Sequence, residues 1–149
     1  MQKVLVKVVG TQTDDDGEES RIELVSVGTR HEKNGVSYIS YRESELTGLE
    51  GTTTVLKLYP DHLVLLRMGA VEQKQEFYAG QKRYSTYVTP FGNMKMGIFT
   101  RELAIQDGGE SATVTVSYDL EINDRWQSFN TLSVNIREEE SDECQGVAR

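Results

Sequence analysis

The chain has 149 residues, with 24 acidic and 16 basic side chains, one cysteine and two histidines, a length that suits one domain. A formal charge of −8 argues against a nucleic-acid backbone as partner, since that needs concentrated Lys and Arg. One cysteine excludes an internal disulfide framework and any multi-cysteine zinc site, and no run of about 18 apolar residues is present to span a bilayer.

Charge is unevenly placed. Asp14, Asp15, Asp16, Glu18 and Glu19 form one acidic run, and Glu138, Glu139, Glu140, Asp142 and Glu143 form another. Setting those ten acids aside leaves 14 against 16 bases, so the body of the chain is near neutral. The N-terminal segment mixes Lys3 and Lys7 into a short apolar run, unlike a secretory signal. A soluble cytoplasmic protein is the expectation, and Cys144 in an acidic tail agrees with a reducing compartment.

Period-two alternation dominates. Lys3–Thr11 and Arg21–Arg30 read as strands flanking the first acidic run. Val36–Arg42 follows Lys33-Asn34-Gly35, where Asn-Gly supplies the positive φ angles of a tight hairpin. Glu43–Glu50 contains Gly48 and reads as a loop. Thr52–Tyr59 and His62–Met68 are joined by Pro60-Asp61, and Val71–Phe77 meets Arg83–Thr89 at Ala79-Gly80. Met94–Ile105 follows Pro90-Phe91-Gly92-Asn93.

The clearest segment is Ala112–Ile122, where every even residue is apolar or aromatic and every odd one polar. Side chains alternate faces along a strand, so one face of this segment is buried. Trp126–Arg137 closes the set after Asn123-Asp124. Its apolar parity changes between Phe129 and Leu132, which predicts a bulge near Asn130 and leaves Trp126 and Phe129 to pack in a core, line a pocket or form a dimer contact.

Ten amphipathic strands with no covering helix must bury their faces against each other. The expectation is an all-β fold: a single antiparallel meander β-barrel of about eight to ten strands over residues 1–137, followed by an acidic tail, 138–149. A closed meander also removes exposed strand edges.

Several segments, in order, resemble a known family: Tyr41-Arg42-Glu43, Gly51-Thr52-Thr53-Thr54 leading into Leu56-Lys57, Leu65-Leu66-Arg67-Met68-Gly69, Tyr84-Ser85-Thr86-Tyr87-Val88-Thr89-Pro90-Phe91-Gly92 with Thr100 beyond, and Tyr118-Asp119-Leu120-Glu121-Ile122. This order is similar to that of the YwiB-like family of small bacterial proteins, whose domain is of unknown function. The likeness covers most of residues 2–137. It implies a calycin-type, lipocalin-like barrel and brings no catalytic residues with it. Barrels of this size are filled by side chains or hold one small ligand.

The candidate site is Arg67 with Tyr38, Tyr41, Glu43, Tyr84 and Tyr87. Arg67 shares a strand face with Leu63 and Leu65, so if that face is inward its guanidinium needs a partner, either Glu43 or an anionic ligand group. The alternative is a buried ion pair or a side chain reaching the rim.

Other constellations read as structural. The acidic run Asp14–Glu19 lacks the alternate spacing of a calcium loop and reads as a solvated hairpin. His31 and His62 have no third ligand at diagnostic spacing and read as surface residues. No nucleophile elbow or phosphate-cradling glycine motif is present. Phe91 sits in a hairpin turn that would cap the barrel mouth only if it folded over it.

Two functions follow as expectations. The first is a non-enzymatic barrel binding a small anionic or amphipathic ligand without cofactor or metal. The second is an interaction barrel, its interior filled by Leu56, Leu66, Val114 and Val116. Monomer and homodimer both remain open.

Overall fold

The computed structural model describes residues 2–43, 49–108 and 110–138. The expected loop at 44–48 and the tail from 139 onward, with Cys144, lie outside the described residues. Ten strands follow in order: β1 (Gln2–Asp14), β2 (Glu19–Lys33), β3 (Val36–Arg42), β4 (Thr52–Leu58), β5 (Leu63–Gly69), β6 (Gln73–Phe77), β7 (Lys82–Thr89), β8 (Gly92–Asp107), β9 (Ser111–Ile122) and β10 (Arg125–Glu138). They form one antiparallel sheet ordered β6-β5-β4-β3-β2-β1-β10-β9-β8-β7. This is the expected meander, with the first and last strands side by side in its middle. Among the described residues no helix is long and apolar enough to cross a membrane.

The turns follow from local chemistry. Asn34 and Gly35 take φ of 55° and 79°, and Asn123 and Asp124 take 52° and 67°, the left-handed pair that two-residue hairpins require. In the first acidic run the Asp14 carboxylate accepts hydrogen bonds from the amides of Asp16 (3.0 Å) and Glu18 (2.9 Å). The run is thus an exposed hairpin organised by its own first residue.

The sheet curls until β6 meets β7, which closes the barrel only partly. One bridge, Glu72 to Val88, joins the two edges through hydrogen bonds of 3.0 and 2.9 Å. Further along the seam Tyr59, His62 and Tyr78 stack at 4.0 and 4.3 Å, and the Arg83 guanidinium lies 4.1 Å over Tyr78. His62 also meets Asp61 through Nδ1 at 2.7 Å. It is therefore a half-buried clasp residue rather than the surface histidine expected; His31, stacked outside on Tyr38, is exposed.

Inside, cross-strand registry lays side chains in rows. Leu24, Val8, Val134 and Val114 form one row across β2, β1, β10 and β9; Ile39, Leu56 and Leu65 form another across β3 to β5. These residues are buried, and each large aliphatic side chain among them stabilises the fold by about 1.5–3 kcal/mol. Leu66, expected inside, points outward, because it has the opposite parity to Leu65 and Arg67.

Two bulges adjust this pattern. One falls at Gln127, between Trp126 and Ser128, and not near Asn130. From Ser128 onward the even residues face inward without interruption, so Ser128 and Asn130 are inner polar groups. Trp126 and Phe129 lie on the outer face, with Arg101 4.8 Å over the Phe129 ring. What looked like a change of parity is a change of residue type on an unchanged face. The second bulge, at Arg101 in β8, lets Met96, Ile98 and Thr100 share the interior with Leu103 and Ile105.

Charge crosses the interior away from the cavity described below. Arg30 of β2, only 2% exposed, pairs with Asp107 of β8 and lies 3.3 Å from Glu32, while Ser37 donates to Asp107. Removing one partner of such a pair strands the other in low dielectric. Asp107→Ala is expected to cost about 3 kcal/mol, read as a lower urea midpoint with unchanged m-value. Gly28 is a second sensitive point, since a Cβ there would lie 2.4 Å from the Ser40 carbonyl oxygen. Gly28→Ala should cost about 1–3 kcal/mol by overpacking in the same measurement, whereas an unchanged midpoint would mean that β2 and β3 can separate freely there.

Candidate functional site

The inner face of β3–β6 changes character over two residues. Above the apolar row of Ile39, Leu56 and Leu65 comes a polar one: Tyr41, Thr54, Arg67 and Gln73 are consecutive partners across the four strands. Glu43 continues the inner parity of Tyr41, and its amide donates to the Thr52 carbonyl at 2.9 Å, which holds it against β4 just beyond β3. The opposite wall has its own polar row, Ser20, Gln12, Asn130 and Tyr118, across β2, β1, β10 and β9.

Between these walls lies a cavity of about 430 Å³. Val8, Ile22, Leu24, Leu56, Leu65, Leu132 and Val134 line its apolar part. Tyr41, Glu43, Arg67, Tyr118 and Asn130 supply its polar groups, and exposed Gln12, Ser20 and Arg21 reach its rim.

Gly10 also lines it, at the centre of the inward row Ile22, Gly10, Leu132 and Val116. A glycine inside a strand weakens pairing and often marks a place where something else comes close. Here a Cβ would meet only Ile22 Cγ2 at 3.4 Å and the Thr131 oxygen at 3.8 Å, so the missing side chain leaves open volume rather than preventing a clash. Lys7-Val8-Val9-Gly10-Thr11 carried that signal in the sequence, which sequence reasoning passed over, together with Tyr118 and Asn130.

Three of the six expected site residues meet here. Arg67 Nη1 donates to Gln73 Oε1 at 2.8 Å, and Gln73 Nε2 reaches Met96 Sδ at 2.9 Å, tying the arginine toward β8 across the seam. Arg67 Nε lies 3.9 Å from Glu43 Oε2, their side chains being 23% and 3% exposed. Thr54 donates its hydroxyl to that same carboxylate oxygen. The arginine is inward, as its shared face with Leu63 and Leu65 required, and Glu43 is its ion-pair partner.

The other three are elsewhere. Tyr38 faces outward, stacked on His31 with Lys57 Nζ 5.7 Å from its ring. Tyr84 is 53% exposed; it rests on Gly97 of β8, where a Cβ would come within 3.1 Å of its ring, and Lys95 Nζ stands 4.6 Å from it. Tyr87 has inner parity but borders a separate depression with Val71 and the Pro90-Phe91-Gly92 turn. No tyrosine ring therefore surrounds Arg67: Tyr38 and Tyr84 fall on the outer parity of their strands, and Tyr87 lies across the seam. Phe91 is 99% exposed and covers nothing; its turn is held by Thr89, whose hydroxyl donates to the Gly92 carbonyl at 2.7 Å.

Burial pushes the Tyr41 hydroxyl well above the ordinary tyrosine value, and the Glu43 charge pushes it the same way; Arg67 and Thr54 oppose this. Burial raises Tyr118 too, against a smaller effect of Arg67. Both remain neutral hydrogen-bonding groups beside a charged arginine. Because folding raises these values, the folded chain keeps protons that the unfolded chain releases. Their contribution to stability is complete below pH about 10 and is lost as pH rises beyond it. The urea midpoint should therefore fall above pH about 10, less steeply in Tyr41→Phe. In an absorbance titration, Tyr41 and Tyr118 should ionise only as the fold opens; seven tyrosines titrating together on the intact fold would contradict this.

Comparison with known proteins agrees with the architecture. The family model described as "Domain of unknown function (DUF1934)" matches residues 6–134. The "Uncharacterized beta-barrel protein YwiB" of Bacillus subtilis (strain 168) is 24% identical over 121 residues, covering 81% of this chain and 84% of that protein. The crystal structure of the ywiB protein from Bacillus subtilis superposes with a TM-score of 0.82 at 21% identity, covering 92% of each chain. At that identity the superposition speaks for the fold, a β-barrel. The matched span includes every cavity-lining residue, from Val8 to Val134, and this chain belongs to the DUF1934 family of YwiB-like β-barrel proteins.

Proposed function

We propose that this protein is a non-enzymatic, lipocalin-like barrel that holds one small amphipathic molecule in the cavity beside Arg67, Glu43 and Tyr41. The observation that carries the reading is the cavity itself. Its volume of about 430 Å³ falls within the range of about 300–1,000 Å³ usual for small-molecule sites. Its composition has the same pattern, an apolar wall with a few convergent polar groups. Gly10 supports it further, because a strand that placed any larger residue there would gain pairing strength and lose the space.

The polar groups suit holding rather than turnover. Arg67 is permanently charged, and burial keeps Tyr41 and Tyr118 neutral. The reading needs no metal or cofactor and takes neither nucleic acid nor membrane as partner; it places the protein in the cytoplasm.

The test fills the cavity from Gly10. N-phenyl-naphthylamine, a neutral apolar dye, should bind the full chain saturably at one site with enhanced emission. Gly10→Leu should keep the near-ultraviolet circular dichroism of the folded chain and lose dye binding by at least tenfold. Native mass spectrometry of protein purified from its own host should then show a retained small molecule. Failure of the wild-type chain to bind the dye, or equal binding by Gly10→Leu, overturns the reading. The outer face of β2, where Val25 and Val27 are 62% and 53% exposed, would then favour the interaction barrel.

A further inference from the structure

The outer face of β7–β10 carries aromatic rings that neither the core nor the cavity uses. Cross-strand partners set them in two rows: Tyr84, Gly97, Glu121 and Trp126 in one, Lys82, Phe99, Asp119 and Phe129 in the next. Tyr84, Phe99 and Trp126 are 53%, 37% and 43% exposed, although aromatic rings ordinarily supply core area. They are nonetheless held in place. Trp126 Nε1 donates to Asp119 at 3.1 Å. Arg101 grips the same carboxylate through bonds of 2.8 and 3.0 Å and lies over Phe129, while Tyr84 rests on Gly97. Further along the same strands come Glu102, Ser117 and Thr131, then Ala104, Thr115 and Ser133. These two rows line a shallow groove of about 340 Å³, with Thr115 exposed at its centre.

The charges around the groove and the rings are matched. Lys82 meets Glu121 at 2.6 Å, Lys95 meets Asp124 at 3.0 Å and Arg101 meets Asp119. On the neighbouring β1 and β2, Lys7 and Arg21 share Glu23 at 3.3 and 3.1 Å. Glu102 and Arg125 add one charge of each sign. A polyanion finds no surplus of cations on such a surface, and a cationic partner finds no surplus of carboxylates. A peptide that adds to a sheet needs a strand edge, whereas the groove is centred on β9, which is paired on both sides. A neutral sugar chain complements all of this. Its C–H faces stack on exposed rings, and its hydroxyls both donate and accept, as Ser and Thr hydroxyls do. It brings no charge to break an ion pair.

We propose that this outer groove binds a neutral oligosaccharide, because exposed rings, a hydroxyl-bearing floor and matched charges lie together on one sheet face. Sugar faces lie against the rings around Trp126, and sugar hydroxyls reach the floor at Thr115 and Ser133. The site is on the opposite face of the sheet from the cavity, so the two readings stand or fall separately.

Trp126 is the only tryptophan of the chain, so its emission reports on this face. Maltohexaose, cellohexaose and chitohexaose, added singly to the full chain at neutral pH, are the probes. At least one should shift the Trp126 emission saturably and bind at one site by isothermal titration calorimetry. A sulfated heparin hexasaccharide should bind at least tenfold more weakly. Thr115→Tyr fills the groove from its centre with a residue that suits a strand. It should keep the wild-type urea midpoint and lose at least tenfold in affinity. Trp126→Ala should lose at least tenfold by calorimetry. No binding of any of the three neutral sugars, tighter binding of the heparin fragment, or unchanged affinity in both variants overturns the proposal. The wild-type comparison decides the matter even if neither variant folds.

Discussion

Everything in this molecule depends on ten strands sharing one inner face. With no helix to cover the sheet among the described residues, each strand can bury its apolar side only against the other strands, so the sheet has to curl. Hydrogen-bond registry then turns alternating sequences into horizontal rows, and the composition of each row decides what that level of the interior is. Rows such as Leu24, Val8, Val134 and Val114 make a packed core. The row of Tyr41, Thr54, Arg67 and Gln73 makes a polar wall. The transition takes two residues because the period of a strand is two.

The same constraint explains why a charged pair survives inside. Arg67 cannot leave the inner face without sending Leu63 and Leu65 outward, since a one-residue slip inverts the whole strand. It is therefore met where it stands, by Gln73 from β6 and by Glu43 from just beyond β3. Arg30 is handled likewise through Asp107 and Ser37. The two inward arginines mark different kinds of interior: Arg30 is buried in an ion-pair cluster with Asp107 and Glu32, while the half-buried Arg67 borders open volume. Closure of the barrel is correspondingly economical, with one backbone bridge and an aromatic clasp where β6 and β7 meet.

Membership of a family known by its fold adds a frame but no chemistry, because the same barrel can be filled or hollow. What distinguishes this interior is local. Gly10 withholds a side chain at the centre of an inward row, and Asn130 and Tyr118 face the Arg67 wall from the opposite one. The proposed holding site rests on these residues rather than on the architecture.

Strand number and strand positions to within about three residues, the Asn34-Gly35 and Asn123-Asp124 turns and the face that Arg67 shares with Leu63 and Leu65 were legible in the sequence, because alternation and turn chemistry are local and act within a few residues. The partner of Arg67 was also within reach, since Tyr41 and Glu43 share parity on one short segment. Residues brought together across the barrel were not. Tyr38 and Tyr84 lie near Arg67 in composition but on the wrong side of their strands. Asn130 and Tyr118 are far from it in sequence and meet the cavity only because β9, β10 and β1 lie opposite β3, β4 and β5. The bulge at Gln127 was displaced to Asn130 because polar inner residues mimic a change of parity. Alternation alone determines that this chain makes a one-faced sheet. Only registry and closure, which couple strands a hundred residues apart, decide which inner positions pack together and which leave space.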